Sequence, residues 1–275
     1  MANAPKPTMA KKKSSGSSIF ASSSIVICVL IGFLLWKFVM GDASNFEGGD
    51  AANGHPLPGN YFGMVYKGGF IVPVLMGMLL MVIIFSFERF FVINKATGKG
   101  SVDVFVKNIQ GFLSSGQVDS AMAECDKQEG AVANVIKAGL EKYREMEQDS
   151  KMNTEQKCLA IQKDIEEATA LEMPMLEQNL TVIATLVSIG TLMGLLGTVT
   201  GMIKAFAALS SAGSPDQATL ANGISEALIN TATGISTSAL AIIMYNVFTS
   251  KIDKLTYSID EAGFSIVQTY ASTHK

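Results

Sequence analysis

Thr198 and Thr231 are the residues whose type and place in this chain most invite chemistry, because each lies inside a long apolar run that carries no Asp, Glu, Lys or Arg. A hydroxyl in such a setting either packs against a neighbouring helix or hydrogen-bonds water or a carboxyl group. It can donate and accept without holding a proton of its own for transfer. Both threonines belong to rows of small residues. One row is Thr191, Gly194, Thr198, Gly201 and Ala205; the other is Ala227, Thr231, Gly234, Ser238 and Ala241. Both step by three and four, so each forms a stripe down one helix face. A second row, Gly190, Gly194, Gly197 and Gly201, has the spacing that lets helix backbones approach closely.

Folding the two runs back on each other about residue 215 puts positions whose numbers sum to about 430 at one depth. Thr198 is then level with Thr231. Lys204 is level with Glu226, about 8 to 9 Å further toward the turn at 1.5 Å per residue. These two charges either snorkel separately to water or pair with each other. A proton path needs an ionisable relay at mid-depth, yet the middle of both runs offers only hydroxyls, Asn230 and glycines. The chain therefore reads as an incomplete channel, and the missing carboxylate has to come from another protein.

The elements that must position these residues are apolar helices. Hydrophobic residues make up 48% of the chain and charged residues 16%, with a mean hydropathy of +0.32, outside the usual balance of a soluble domain. Four stretches hold the excess, residues 19–40, 70–87, 180–203 and 227–250, each long enough to cross about 30 Å of hydrocarbon. The first follows Lys11, Lys12 and Lys13 and has features of a secretory leader. Its length and the lack of a small-x-small cleavage pattern favour an extra transmembrane helix instead, with Lys37 snorkelling near its end. Residues 70–87 hold only two small residues, Gly77 and Ser86, whereas residues 180–203 hold eleven and 227–250 hold twelve. That contrast predicts a lipid-facing outer helix and two inner ones.

Lys and Arg number four in residues 1–18, one in 41–69, eleven in 88–179, none in 205–225 and three in 251–275. This asymmetry predicts that both termini lie on the cytoplasmic side. The divisions expected are a tail at 1–18, the extra span at 19–40, a loose periplasmic connector at 41–69 and an outer span at 70–93. A cytoplasmic helical domain follows at 94–179, then inner spans at 180–209 and 222–250 about a loop at 210–221, and a cytoplasmic tail at 251–275. The fold class is all-α, a polytopic membrane protein of about four transmembrane helices with a helical cytoplasmic domain.

Within the polar part, apolar residues recur at helical spacing in Phe105-Ile109-Phe112, Val132-Val135-Ile136-Leu140 and Leu159-Ile161-Ile165. Asn153 or Thr154 is placed to cap a helix running on through Pro174, where a kink is expected, into the third span. Asp164, Glu166, Glu167, Glu172 and Glu177 read as a solvated helix face rather than acid/base groups. A net charge of −3 gives no footing for nucleic acid. Cys28, Cys125 and Cys158 suggest no disulfide framework, and His55 and His274 are too far apart to build a metal site. No phosphate loop, nucleophile elbow or HExxH pattern is present, so neither an enzyme nor a cofactor is expected.

The stretch Gly194-Leu195-Leu196-Gly197-Thr198-Val199-Thr200-Gly201-Met202 resembles the GLLGTVxGM signature of the MotA/TolQ/ExbB proton-channel family. Residues Gly223 to Gly234 resemble its GIxEALIxTAxG motif, and Tyr245-Asn246 its closing YN. Glu88-Arg89 and the segment from Gly116 to Cys125 are weaker matches. The resemblance covers residues 69–255, about two thirds of the chain, and is greatest to ExbB-type members. It implies a homopentamer in the bacterial inner membrane, surrounding an ExbD/TolR-like single-span partner whose aspartate carries the proton, with a TonB-like protein downstream. It makes Thr198 and Thr231, with Thr191 and Ser238 on the same stripes, pore-lining, and Glu226 the glutamate at the start of the last span. ExbB and TolQ members usually carry a proline in the second half of that span; here Ser236 to Ala241 has none, and Lys204 stands where members often have an uncharged residue. The implied function is conversion of a proton gradient into work for outer-membrane transport. TolQ-like envelope maintenance, a gliding or secretion motor, and a passive membrane scaffold are the rivals.

Overall fold

Glycine sets how the first two apolar helices meet. A Cβ on Gly32 would lie 2.6 Å from the Pro73 carbonyl oxygen, and one on Gly77 would lie 2.9 Å from the Val29 Cα, so the two backbones touch where only hydrogen fits. The protein is described here by a computed structural model covering residues 14–51, 54–210 and 217–274. Among these residues it is all-α, with no strand and a single isolated bridge between Phe46 and Pro56. The helices are α1 (Ser14–Leu34), α2 (Tyr61–Tyr66), α3 (Ile71–Thr97), α4 (Val102–Ser114), α5 (Val118–Gln128), α6 (Gly130–Gln148), α7 (Thr154–Glu177), α8 (Leu180–Ser210) and α9 (Gln217–Thr273). Four candidate membrane spans fall on α1, α3, α8 and α9, and the chain is a multi-pass membrane protein. The lysines at 11–13 and the turn about residue 215 lie outside the described residues.

The chain divides into two compact units, Met1–Ile83 with Leu186–Ala239, and Ile84–Thr185 with Leu240–Lys275. In the first, α1 ends in a π-helical turn, Leu35–Met40, and lies on α3. Its outer face, including Val26, Leu30 and Leu34, is exposed and apolar, as a lipid-facing surface must be. The apolar window of α1 is 17% buried against 44% for that of α3. The extra N-terminal helix packs on one side of α3 through Gly32 and Gly77, while Phe70 and Phe87 stay exposed.

The connector after α1 is also not loose. Asn45 Nδ2 donates to the carbonyls of Val39 and Met40 at 2.9 and 3.0 Å, and its Oδ1 accepts from Asn60 Nδ2 at 2.9 Å. Trp36 stacks on Tyr66 at 4.7 Å and donates from Nε1 to the Tyr66 carbonyl at 3.2 Å. One buried amide and one aromatic pair thus fasten the connector to the helix end.

The second unit contains α4 to α7 and the last part of α9. Phe105, Ile109, Leu113, Val132, Ile136, Leu140, Ile161 and Ile165 are buried, as helical spacing of apolar residues requires. Leu159, grouped with the core by spacing, is 64% exposed, and Leu113 rather than Phe112 joins Phe105 and Ile109 in the buried face of α4. Asn153 caps α7, its Oδ1 accepting from the Gln156 backbone at 2.8 Å while Gln156 Oε1 accepts from the Asn153 backbone at 3.2 Å. The segment set apart as a tail after residue 250 is helix to Thr273.

The long helix expected to run through Pro174 is instead interrupted at Gln178 and Asn179, where Asn179 takes a φ of 63°. Asparagine tolerates this left-handed conformation and so ends α7 cleanly. The carbonyls left open there are met by Arg89, which is 1% exposed and donates from one Nη to Met175 and Leu176 at 3.1 and 3.2 Å. Glu88 pairs with Arg89 and accepts from Asn179 Nδ2 at 3.3 Å, so the break is clamped from the end of α3.

Candidate functional site

In the first unit α8 and α9 run antiparallel with glycine at each crossing. A Cβ on Gly197 would lie 2.2 Å from Asn230 Cβ, one on Gly201 would lie 2.7 Å from the Ala227 backbone nitrogen, and one on Gly234 would lie 2.6 Å from the Gly190 carbonyl oxygen. Gly190 itself faces Ser238, and Gly194 faces Gly234 and Asn230. The glycines picked out by spacing therefore form the α8–α9 seam. Without them the helices would stand about a side chain apart, and the hydroxyls between them would not meet.

Three pairs meet along this seam, all at positions summing to 429 or 430. Thr198 and Thr231 hydrogen-bond through their hydroxyls. Thr191 Oγ1 donates to Ser238 Oγ at 2.9 Å. Lys204 Nζ pairs with both carboxylate oxygens of Glu226 at 2.6 and 2.8 Å. The threonines also have backbone partners: Thr231 Oγ1 donates toward the Ala227 carbonyl at 3.0 Å, and Thr198 Oγ1 lies 3.3 Å from the Gly194 carbonyl. Each hydroxyl has one proton. If Thr198 donates to Thr231 and Thr231 to Ala227, both protons are committed and Thr198 keeps lone-pair capacity to accept.

The charged pair is asymmetric. The Glu226 side chain is 10% exposed, whereas that of Lys204 is 56% exposed, so the lysine reaches in from the boundary to neutralise a carboxylate that has lost most of its water. Glu226 lies against Gly69, where φ is +79° and a Cβ would stand 2.4 Å from Oε1; both conformation and space require glycine.

One participant was mentioned in the sequence only as a polar residue at mid-depth. Asn230 is fully buried and donates from Nδ2 to the Gly68 carbonyl at 2.9 Å, while its Oδ1 has no partner. Asn230 thus ties α9 to the turn that opens α3. The readable signal was its position four residues after Glu226, which puts both polar groups on one helix face.

The match to the MotA/TolQ/ExbB proton channel family model spans residues 127–261, which takes in α8, the paired stretch of α9 and the helices leading into them. The chain is similar to this family over just under half of its length. A Tol-Pal system protein TolQ of Pseudomonas aeruginosa is 30% identical over 127 residues, covering 46% of this chain and 55% of that protein. A biopolymer transport protein ExbB of Pseudomonas putida is 33% identical over 86 residues, 31% of this chain and 26% of that one. An ExbB homologue of Methanothermobacter thermautotrophicus is 24% identical over 199 residues, 70% of this chain. The matches span about half or less of the length of the two Pseudomonas relatives. Residues 1–126, with α1, the aromatic connector and α3, lie outside the family match.

Away from the seam, Asp164 on α7 is half-buried, and burial pushes its carboxyl above the ordinary range. Among the described residues no group of three or more His, Cys, Asp and Glu is placed to hold a metal ion.

Proposed function

We propose that this chain is the proton-channel subunit of an inner-membrane motor, with both termini in the cytoplasm. It forms a homo-oligomer, a pentamer by resemblance, around an ExbD/TolR-like single-span protein whose membrane aspartate carries the proton. The work goes to outer-membrane transport through a TonB-like protein. The observation that carries this reading is the Thr198–Thr231 hydroxyl pair, held by glycine in an apolar hairpin that has no carboxylate of its own at that depth. A lone carboxylate in hydrocarbon is too costly to ionise unless something there hydrates or hydrogen-bonds it. The pair suits both states of a cycling carboxyl. Thr198 can accept from the protonated acid, and turning one hydroxyl away from its backbone carbonyl frees a donor for the ion. In this reading Thr191 and Ser238 extend the polar lining, and the Lys204–Glu226 pair closes its outer mouth.

Exchanging both threonines for valine keeps shape and removes the hydroxyls. The Thr198→Val, Thr231→Val complex should assemble while gradient-driven uptake collapses. Full uptake by the assembled double variant would mean that the hydroxyls only pack, as in a passive scaffold. The TolQ relative supports a second reading within the family, envelope maintenance. Complementing strains that lack either system separates the two, by restored uptake or by restored resistance to detergent.

A further inference from the structure

Beyond the threonine pair, the same spacing in sequence leads to a second polar region, where Tyr245 is the one hydroxyl on the two rows and the step to residue 177 crosses the break at Gln178 and Asn179. Steps of seven from Thr198 pass Thr191 and reach residues 184 and 177; steps of seven from Thr231 pass Ser238 and reach residues 245 and 252. All four of these later positions line a single cavity of about 340 Å³ within the second unit, at the end of α7, the start of α8 and the middle of α9. Its polar wall is Glu177, Thr181, Tyr245, Thr249 and Asp253. The Thr249 hydroxyl oxygen is buried and has no hydrogen-bond partner in the protein, although a buried hydroxyl left bare costs about 1–3 kcal/mol. A polar cavity of this size holds several waters. Glu177 and Asp253 stand exposed at its edge, within reach of bulk solvent. No Lys, Arg or His lines the cavity, so the two carboxylates make it locally anionic.

We propose that this cavity is the water-filled vestibule through which protons leave on the cytoplasmic side, with Asp253 and Glu177 as the proton acceptors and Tyr245 and Thr249 ordering the water behind them. The inference rests on the proton-channel reading. A proton arriving on cavity water forms an O–H bond to a carboxylate oxygen, leaving neutral water and a neutral acid. The acid then gives the same proton to bulk water and returns to the carboxylate, so nothing else is consumed. Carboxylates facing a wet cavity at a membrane boundary are suited to this relay, and hydroxyls inside it let water approach the apolar zone.

The test uses the whole complex, purified from its own membranes and reconstituted in vesicles with a pH-sensitive dye inside. The Glu177→Gln, Asp253→Asn variant should assemble, by native mass spectrometry, and pass protons at least about tenfold more slowly, as expected for losing positioned proton acceptors. Asp253→Glu should keep the rate. Independently, Thr249→Cys in the assembled complex should react with a small charged thiol reagent supplied from the cytoplasmic side, over the background of the three native cysteines. Wild-type flux in the assembled double variant overturns the proposal, and so does an inert Thr249→Cys. A wild-type complex that passes no protons overturns the channel reading instead, while the thiol result still reports whether the cavity is wet.

Discussion

The α8–α9 seam and the bundle of α4 to α7 hold helices together by opposite means. In the seam, glycine lets backbones touch, and the contacts are short, polar or bare of side chain. In the bundle, Ile109, Leu113, Ile136, Leu140 and Ile161 keep the helices a side chain apart and gain from leaving water. The difference follows from the solvent each region meets. Lipid gives apolar side chains no reward for associating, so packing and hydrogen bonds must do it, whereas water rewards every buried methylene. Each region should therefore fail to a different kind of substitution.

The largest effect should come from filling the seam. Gly197→Leu puts carbon where Asn230 already stands, and neither backbone has room to yield. No assembled complex should be recovered by size-exclusion chromatography. The matched control is Gly111→Ala in α4, where a Cβ would meet nothing within 4 Å; it should leave the protein intact or gain about 0.5–1 kcal/mol from helix propensity. If Gly197→Leu assembles normally, the seam is not held by close approach.

Emptying the bundle is next in size. Leu140 is fully buried, and Leu140→Ala should cost about 2–5 kcal/mol by leaving a cavity, read as a lower thermal midpoint of the bundle. A loss as small as that for an exposed position such as Leu159 would remove the contrast between the two regions.

How much of this could be read from the sequence differs between the regions for the same reason. The spans, the glycine row and the level pairing of Thr198 with Thr231 and Lys204 with Glu226 follow from local spacing and one antiparallel turn, and the pairs meet in the structure. The capping of α7 by Asn153 was equally local. What spacing does not carry is contact at long sequence separation. Asn230 reaching Gly68, Arg89 capping the end of α7 and Asn45 gathering the connector each depend on where a distant backbone carbonyl lies. Composition reports which residues tolerate lipid, and it carried no sign that α1 would pack on α3 through Gly32 and Gly77. Pro174 was a reasonable place to expect a kink, but the conformation that ends α7 belongs to Asn179.

The charged end of the seam tests whether polarity there is specific. Lys204→Glu and Glu226→Lys each leave two like charges together, and each should reduce assembly or activity. The double exchange should recover part of the loss, with a coupling of about 0.5–3 kcal/mol for side chains in contact. Recovery should be incomplete, because the exchanged lysine would have to fit the nearly buried site against Gly69. A double exchange no better than either single would show that the pair does not matter to the seam.

The smallest expected effect uses pH to separate the regions. Between Thr191 and Thr198 on one side and Thr231 and Ser238 on the other, the seam has no group that titrates. The bundle hides Cys125, 2% exposed, whose thiol is pushed up to about 12 from 9.0 by burial, with the neighbouring Asp126 charge adding to the shift. In the unfolded chain the thiol loses its proton near 9.0, whereas in the fold it keeps it to about 12. Between those values the unfolded state binds fewer protons than the folded one, so stability is full below pH 9 and is lost as pH rises toward 12. At pH 10, one unit above the unfolded value, the loss should be about 1.4 kcal/mol. Tyr143 and Tyr270, also raised by burial, add a similar slope at higher pH, so the measurement is a difference. Unfolding of the bundle is compared at pH 8 and pH 10 in the parent and in Cys125→Ala. The variant starts less stable but should lose less on going to pH 10. Alkylation gives a second readout, since only the thiolate reacts and Cys125 should stay unmodified at pH 8 until the bundle unfolds. Equal losses in parent and variant would mean that the thiol is not held neutral in the core, and that pH does not distinguish the bundle from the seam in this way.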